Sequence, residues 1–173
     1  KVAAFGFYFA SLDIRQDSRI LTKCLKHIVE VKPTILVENF AELNDQEKIE
    51  ALLNISETIT VSELSDSIAV DTIESLQTMK EIQAQNGVRA CHRYIISNCR
   101  GPIDVAMLIA LFRLSGWELN ELTIDIVPLF ETINDLHGAG GNMEILYALA
   151  EYKNHLSKRD NKQTVMLGFS DGA

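Results

Sequence analysis

Residues 94–130, YIISNCRGPIDVAMLIALFRLSGWELNELTIDIVPLF, read as strand, helix, strand. Tyr94 to Ser97 is a short apolar strand. Ile103 to Leu114 is a helix closed by Ser115-Gly116, and Leu122 to Phe130 has the Thr, Ile and Val character of a second strand. Neither strand alternates polar with apolar residues, so both faces are expected to be buried, as in a parallel sheet covered by helices.

The same alternation extends outward from this unit. Upstream, Phe5 to Ile14 is aromatic and β-rich and runs into Arg15-Gln16-Asp17-Ser18, where Asp17 or Ser18 can cap a helix. From Arg19 to Val31, Ile20, Leu21, Cys24, Leu25 and Ile28 mark one helical face before Pro33 forbids continuation. Asn44 caps a second helix, with Glu47 completing a capping box and Ile49, Leu52 and Leu53 as its buried face. A third is predicted from about Ser67 to Gln85, stopped by Asn86-Gly87. Downstream, Thr132 to Leu136 begins a helical turn that Gly138, Gly140 and Gly141 are expected to break, and a new helix opens near Asn142 and runs to about Ser157. Gln163 to Phe169 is a last apolar run of strand length. The expectation is one α/β domain over 1–173: a partial parallel β/α barrel of about four strands, rich in helix, with six or so helices.

Composition narrows the function classes. A chain of 173 residues, 47% hydrophobic and 23% charged, is that of an ordinary globular domain. Its longest apolar runs, such as Val105 to Phe112, are far short of a bilayer span, and no basic-then-apolar leader opens it, so a cytoplasmic protein without membrane contact is expected. A net charge of −8 with no basic block argues against nucleic acid but leaves room for a small anion held by a few converging arginines. Cys24, Cys91 and Cys99 lack CxxC spacing and read as reduced thiols, and His27, His92, His137 and His155 form no zinc motif. Gly138-Ala139-Gly140-Gly141 lacks the register of a phosphate loop and reads as a flexible turn, while Trp117 reads as a packing anchor.

Polar groups follow every strand: Asp13 and Arg15, then Ser97 and Asn98, then Glu131, then Ser170 and Asp171. In a parallel α/β fold that edge gathers the functional side chains. Glu131 and Asp171 would suit a hard divalent cation, and Arg15 a phosphate or carboxylate. Spacing alone leaves a plainer reading open, in which each residue is a cap or a solvated strand end, Glu131 meets a helix N-terminus and Asp13 fixes Arg15 by an ion pair.

The wording of the segments goes further. Phe5-Gly6 followed by Leu12-Asp-Ile-Arg-Gln16 and Ser18, then Tyr94-Ile-Ile-Ser97, Val127-Pro-Leu-Phe-Glu-Thr132 with Asp135-Leu136, and Val165-Met-Leu-Gly-Phe-Ser-Asp171 occur in this order. Together they resemble phosphoenolpyruvate carboxylase over nearly the whole chain. The resemblance implies an internal piece of a large, helix-rich enzyme built around an eight-stranded barrel. That enzyme converts phosphoenolpyruvate and bicarbonate to oxaloacetate and phosphate, an anaplerotic supply to the tricarboxylic acid cycle. It implies Mg2+ or Mn2+ held by Glu131 and Asp171, Arg15 in the substrate pocket near the phosphate, Ser97 as a second substrate-binding residue, and a homo-oligomer, a tetramer for the family.

Departures from the family wording are Phe169 where Tyr is usual, Asn98 where Met is common, and Ile103-Asp104 in place of Ser-Asp, which point to a divergent bacterial branch. The lysine that follows the aspartate segment in the family, its glycine-rich loop, a histidine proposed to act in carboxylation and the effector-binding helices are not in these residues. The isolated chain is therefore expected to be inactive and, with unpaired strand edges, to self-associate or rearrange. The alternatives are another magnesium-dependent barrel acting on phosphoenolpyruvate or pyruvate, and a non-catalytic assembly module.

Overall fold

The computed structural model describes residues 10–168. Four parallel strands, β1 (Leu12–Asp17), β2 (Cys91–Ser97), β3 (Asp125–Phe130) and β4 (Met166–Leu167), form one sheet in the order β1-β2-β3-β4. Sequential order with no switch point is the arrangement of a wedge of β/α barrel, as expected from the alternation, and differs from a doubly wound sheet. The six α-helices of the described residues are α1 (Ser18–Val31), α2 (Asp45–Leu53), α3 (Ser67–Asn86), α4 (Pro102–Leu114), α5 (Ile133–Ala148) and α6 (Ala150–Ser157).

The helix ends follow from their capping chemistry. Asp17 accepts the Arg19 N–H and starts α1, and Asn44 and Glu47 close the expected capping box on α2. Asp66 caps α3, and Gly87, at φ 86, takes the left-handed conformation that ends it. His27 anchors that start from outside, its Nε2 accepting the Ser65 and Asp66 N–H groups.

Several element bounds differ from the sequence reading: β3 begins at Asp125 rather than Leu122, and β4 is confined to Met166–Leu167. The strand expected to end at Ile14 runs on to Asp17, and its part before residue 10 lies outside the described residues, as does Phe169 of the last run. The glycines at 138, 140 and 141 do not break the helix: α5 passes through them and ends at Ala148, and the helix expected to run to about Ser157 is interrupted instead at extended Leu149, after which α6 begins. Glycine lowers helix stability by about 1 kcal/mol relative to alanine. Here a complete capping box of Thr132 and Asp135 nucleates α5, and buried Met143 and Leu146 hold it to the core. Tertiary packing overrides propensity.

The core lies on one face of the sheet. Tyr94 and Ile96 of β2 and Ile126 and Phe130 of β3 join residues of all six helices in one cluster, with Ile14 of β1 packed against it. At its centre is α4, with eleven of thirteen residues buried, as a helix apolar on every side must be. It packs against α1, α2, α3 and α5. Phe112 stands edge-on to both Tyr94 and Trp117, with ring centroids 5.7 Å away in each case. Trp117 is the packing anchor expected of it, its Nε1 donating to the Leu76 carbonyl. The three cysteines are free and buried, and burial pushes the Cys24 and Cys99 thiols up to about 12. No helix among the described residues is long and apolar enough to cross a membrane.

The opposite face carries a separate small cluster of Ile95, Val127 and Leu129. These alternate with the core residues, so this is the surface a barrel would turn inward. Phe112→Ala is expected to destabilise the chain by about 3–5 kcal/mol, because it removes a fully buried ring with two aromatic partners. Urea unfolding measures this, and a loss under about 1 kcal/mol would mean that α4 is not the centre of the core.

Candidate active site at the C-terminal edge of the sheet

Alternation along the strands decides which side chains reach the inner face at the C-terminal edge. In β3, Val127 and Leu129 face inward, and Glu131 continues that register one residue past the strand. In β1, Ile14 packs toward the core, which turns Asp13, Arg15 and Asp17 the other way. Register pairs Arg15 with Ile95 and Asp17 with Ser97. Arg15 and Glu131, 116 residues apart, therefore meet across β2, with Nη2 donating to Oε1 at 2.9 Å.

The second oxygen of Glu131 is also held: Oε2 accepts the Asn98 main-chain N–H at 2.8 Å. Asn98 follows β2 with φ 51, a left-handed conformation that asparagine tolerates better than most residues. Its carbonyl accepts the Ser18 hydroxyl at 2.7 Å, from a serine with no exposed surface. The Glu131 main chain is fixed independently, because Asp135 Oδ2 accepts both the Glu131 and Thr132 N–H groups at 3.3 and 2.9 Å. Those bonds, the Thr132 N–H first, hold the Asp135 carboxyl below its ordinary range.

Two of the plainer roles considered from spacing, the helix cap for Glu131 and the Asp13–Arg15 pair, fall to other residues. The cap of α5 is Thr132 with Asp135, leaving the Glu131 side chain to Arg15 and Asn98. Asp13 does not fix Arg15; it meets Arg93 of β2 at 3.5 Å, because Arg15 points past it toward β3. Ser97 ends β2 half-buried beside Asp17. Asp171 and Ser170 lie outside the described residues.

Gly168 connects β4 to this edge. Its N–H donates to the Phe130 carbonyl at 2.8 Å, and a Cβ on it would stand 3.0 Å from the Glu131 Cα and 3.3 Å from its Cγ. Glycine lets the fourth strand pass this close to the carboxylate without crowding it.

Other groups at this edge were read from sequence only as caps or not singled out. Asp17 binds Arg19 through both oxygens, at 2.9 and 2.7 Å, which lowers its pKa from 3.8 to about 2. Asp104, with no exposed surface, accepts the Arg100 N–H, Nε and Nη2. An aspartate four residues after an arginine, in the first turn of a helix whose only other charged residue is Arg113 in its last turn, is the signal that marks this pair. A cleft of about 400 Å³ bounded by Arg113, Trp117, Glu118, Asn154 and His155 lies instead beside the loop entering β3.

Chemically, Glu131 is a hard oxygen donor with its side chain 18% exposed, and Arg15 beside it has its side chain 51% exposed. Magnesium takes one or two protein carboxylates and completes its shell with water and substrate, so Glu131 fits it as one ligand. Among the described residues no cluster of three potential metal-binding side chains occurs.

The protein-family model described as "Phosphoenolpyruvate carboxylase" matches residues 1–173. The chain is 38% identical over 178 residues to the phosphoenolpyruvate carboxylase of Nitrosomonas eutropha, covering 98% of this chain and 19% of that protein. It is 35% identical to that of Nitrosomonas europaea, with 96% and 19% covered, and 34% identical to that of Gloeobacter violaceus, with 99% and 19% covered. The chain thus spans 19% of the length of these relatives.

Two outcomes follow from the geometry. Because the Asp17 pKa is lower in the folded chain, its stabilising contribution is present above about pH 4 and is lost as pH falls toward 2. Asp17→Asn is therefore expected to flatten stability against pH in that window, as measured by urea unfolding; an unchanged slope would contradict it. Gly168→Ala is expected to displace β4 or Glu131, read as loss of the Asn98 amide's hydrogen-exchange protection, whereas full protection would show that the close approach is not needed.

Proposed function

The chain belongs to the phosphoenolpyruvate carboxylase family, and from that premise we propose that it is one segment of the catalytic barrel of such an enzyme. The complete enzyme is a carbon-carbon lyase that carboxylates phosphoenolpyruvate with bicarbonate to oxaloacetate and phosphate, feeding the tricarboxylic acid cycle. The observation that carries this reading is the meeting of Arg15 and Glu131 on the inner face at the C-terminal edge.

In this reading Arg15 binds the phosphate of phosphoenolpyruvate, and Ser97, in register with Asp17 at the end of β2, contributes to the same pocket. Glu131, together with Asp171, holds Mg2+ or Mn2+. A bound divalent cation supplies positive charge that stabilises the enolate oxygen and orients the phosphate. Were Glu131 to hold the cation, Arg15 would be released from it and its five N–H donors would be available to the phosphoryl oxygens. A bicarbonate oxygen attacks phosphorus and the bond to the enol oxygen breaks, giving carboxyphosphate and the pyruvate enolate. Carboxyphosphate releases carbon dioxide and phosphate, and the enolate carbon takes up the carbon dioxide. The apolar layer of Ile95, Val127 and Leu129 beneath the pair supports exclusion of water from the enolate.

The strand edges of β1 and β4 that have no partner among the described residues are the places where the rest of the barrel would join. The isolated chain is inactive in this reading, and the complete enzyme is a cytoplasmic homo-oligomer.

In the complete carboxylase, Glu131→Gln is expected to lower bicarbonate-dependent oxaloacetate formation by about 10²-fold or more and to weaken manganese binding measured by isothermal titration. Arg15→Lys is expected to raise the KM for phosphoenolpyruvate, since the bidentate fork is lost. Wild-type activity and manganese affinity in Glu131→Gln would overturn the proposal.

A further inference from the structure

Of the groups that meet at the C-terminal edge, Ser18 is the one whose burial has no local explanation. It is the first residue of α1, it has no exposed surface, and Asp17 already serves as the N-cap. Its hydroxyl instead crosses to another strand end and donates to the Asn98 carbonyl at 2.7 Å. Buried hydroxyls are placed where they satisfy a partner, and this partner is the residue whose own N–H holds Glu131 Oε2 at 2.8 Å. The intervening residue has φ 51, a conformation reached at some cost by any residue with a side chain and kept only when its surroundings hold it there. Thr22 steadies the serine from behind, donating to the Ser18 carbonyl at 2.9 Å.

We propose that Ser18 is a positioning residue for the metal-binding carboxylate: its hydroxyl holds the Asn98 carbonyl and with it the left-handed backbone conformation of Asn98, which aims the N–H of the preceding peptide group at Oε2 of Glu131 and leaves Oε1 as the oxygen offered to the cation. The inference rests on the assignment of Glu131 as a metal ligand and adds to it the device that orients that ligand. Without the hydroxyl, the Asn98 carbonyl loses its donor, the left-handed conformation of Asn98 is free to relax, and its N–H no longer holds the Glu131 rotamer. Outer partners of metal ligands typically contribute about 10–100-fold in affinity. Ser18 acts at one further remove, so the low end applies.

The test is Mn2+ binding to the complete carboxylase, followed by the electron paramagnetic resonance signal of free Mn2+, for Ser18→Ala, Ser18→Thr and Glu131→Gln, with the melting temperature of each variant. The expected result is an affinity about tenfold weaker in Ser18→Ala, restored to within about threefold in Ser18→Thr, and lost in Glu131→Gln. Unchanged affinity in Ser18→Ala beside its loss in Glu131→Gln overturns the role of Ser18 and leaves the metal assignment standing. Unchanged affinity in Glu131→Gln overturns the metal assignment and the Ser18 proposal with it. An equal loss in Ser18→Thr also overturns the proposal, because packing rather than the hydroxyl would then carry the effect. If the alanine variant does not accumulate, Ser18→Cys, which keeps the volume and weakens the donor, is read by the same criteria.

Discussion

One carboxylate ties the functional edge of this sheet together. Glu131 takes a guanidinium N–H from Arg15 in the second half of β1 and a peptide N–H from Asn98 after β2, while its own main chain is fixed by the cap of α5 after β3. The pair with Arg15 is too exposed to add much stability, on the order of 1 kcal/mol or less. Its consequence is orientation: three strand ends converge on two oxygen atoms. Buried Asp104 ties Arg100 to the start of α4 through three donors.

The fold makes this convergence unavoidable. Parallel strands in sequential order present their C-terminal ends in a row, and the two-residue period sends Arg15, Ile95, Leu129 and Glu131 to the inner face while Ile14, Tyr94, Ile96, Ile126 and Phe130 build the core on the other. The core then holds the strands in register, and the register sets the distance between Arg15 and Glu131. Pro128 also fits this scheme. It lies where β3 stops pairing with β2 at Ile96 and passes to β4 at Leu129, a point at which a missing N–H is tolerable.

Much of this was legible in the residues. The βαβ unit of 94–130, the caps at Asp17 and Asn44, the stop at Gly87 and the location of Arg15 and Glu131 on one edge all follow from periodicity, capping chemistry and the behaviour of parallel sheets. Local rules failed where distant contacts decide. Three glycines in four residues look like a break, but α5 continues because its cap and its buried Met143 and Leu146 outweigh their cost. The partner of Asp13 depends on which way β1 faces, and the role of Ser18 depends on a residue 80 positions away. Neither is visible without the register. Phosphoenolpyruvate carboxylase wording pointed to Glu131, whereas the peptide N–H of Asn98 has no side-chain signature and no motif records it.

The most direct test of the account is a manganese anomalous difference map from crystals of the complete carboxylase. The expected result is a peak within about 2.2 Å of one Glu131 carboxylate oxygen, with the other oxygen still on the Asn98 N–H and Arg15 released toward the substrate side. A peak elsewhere, with Glu131 and Arg15 still paired, would contradict it.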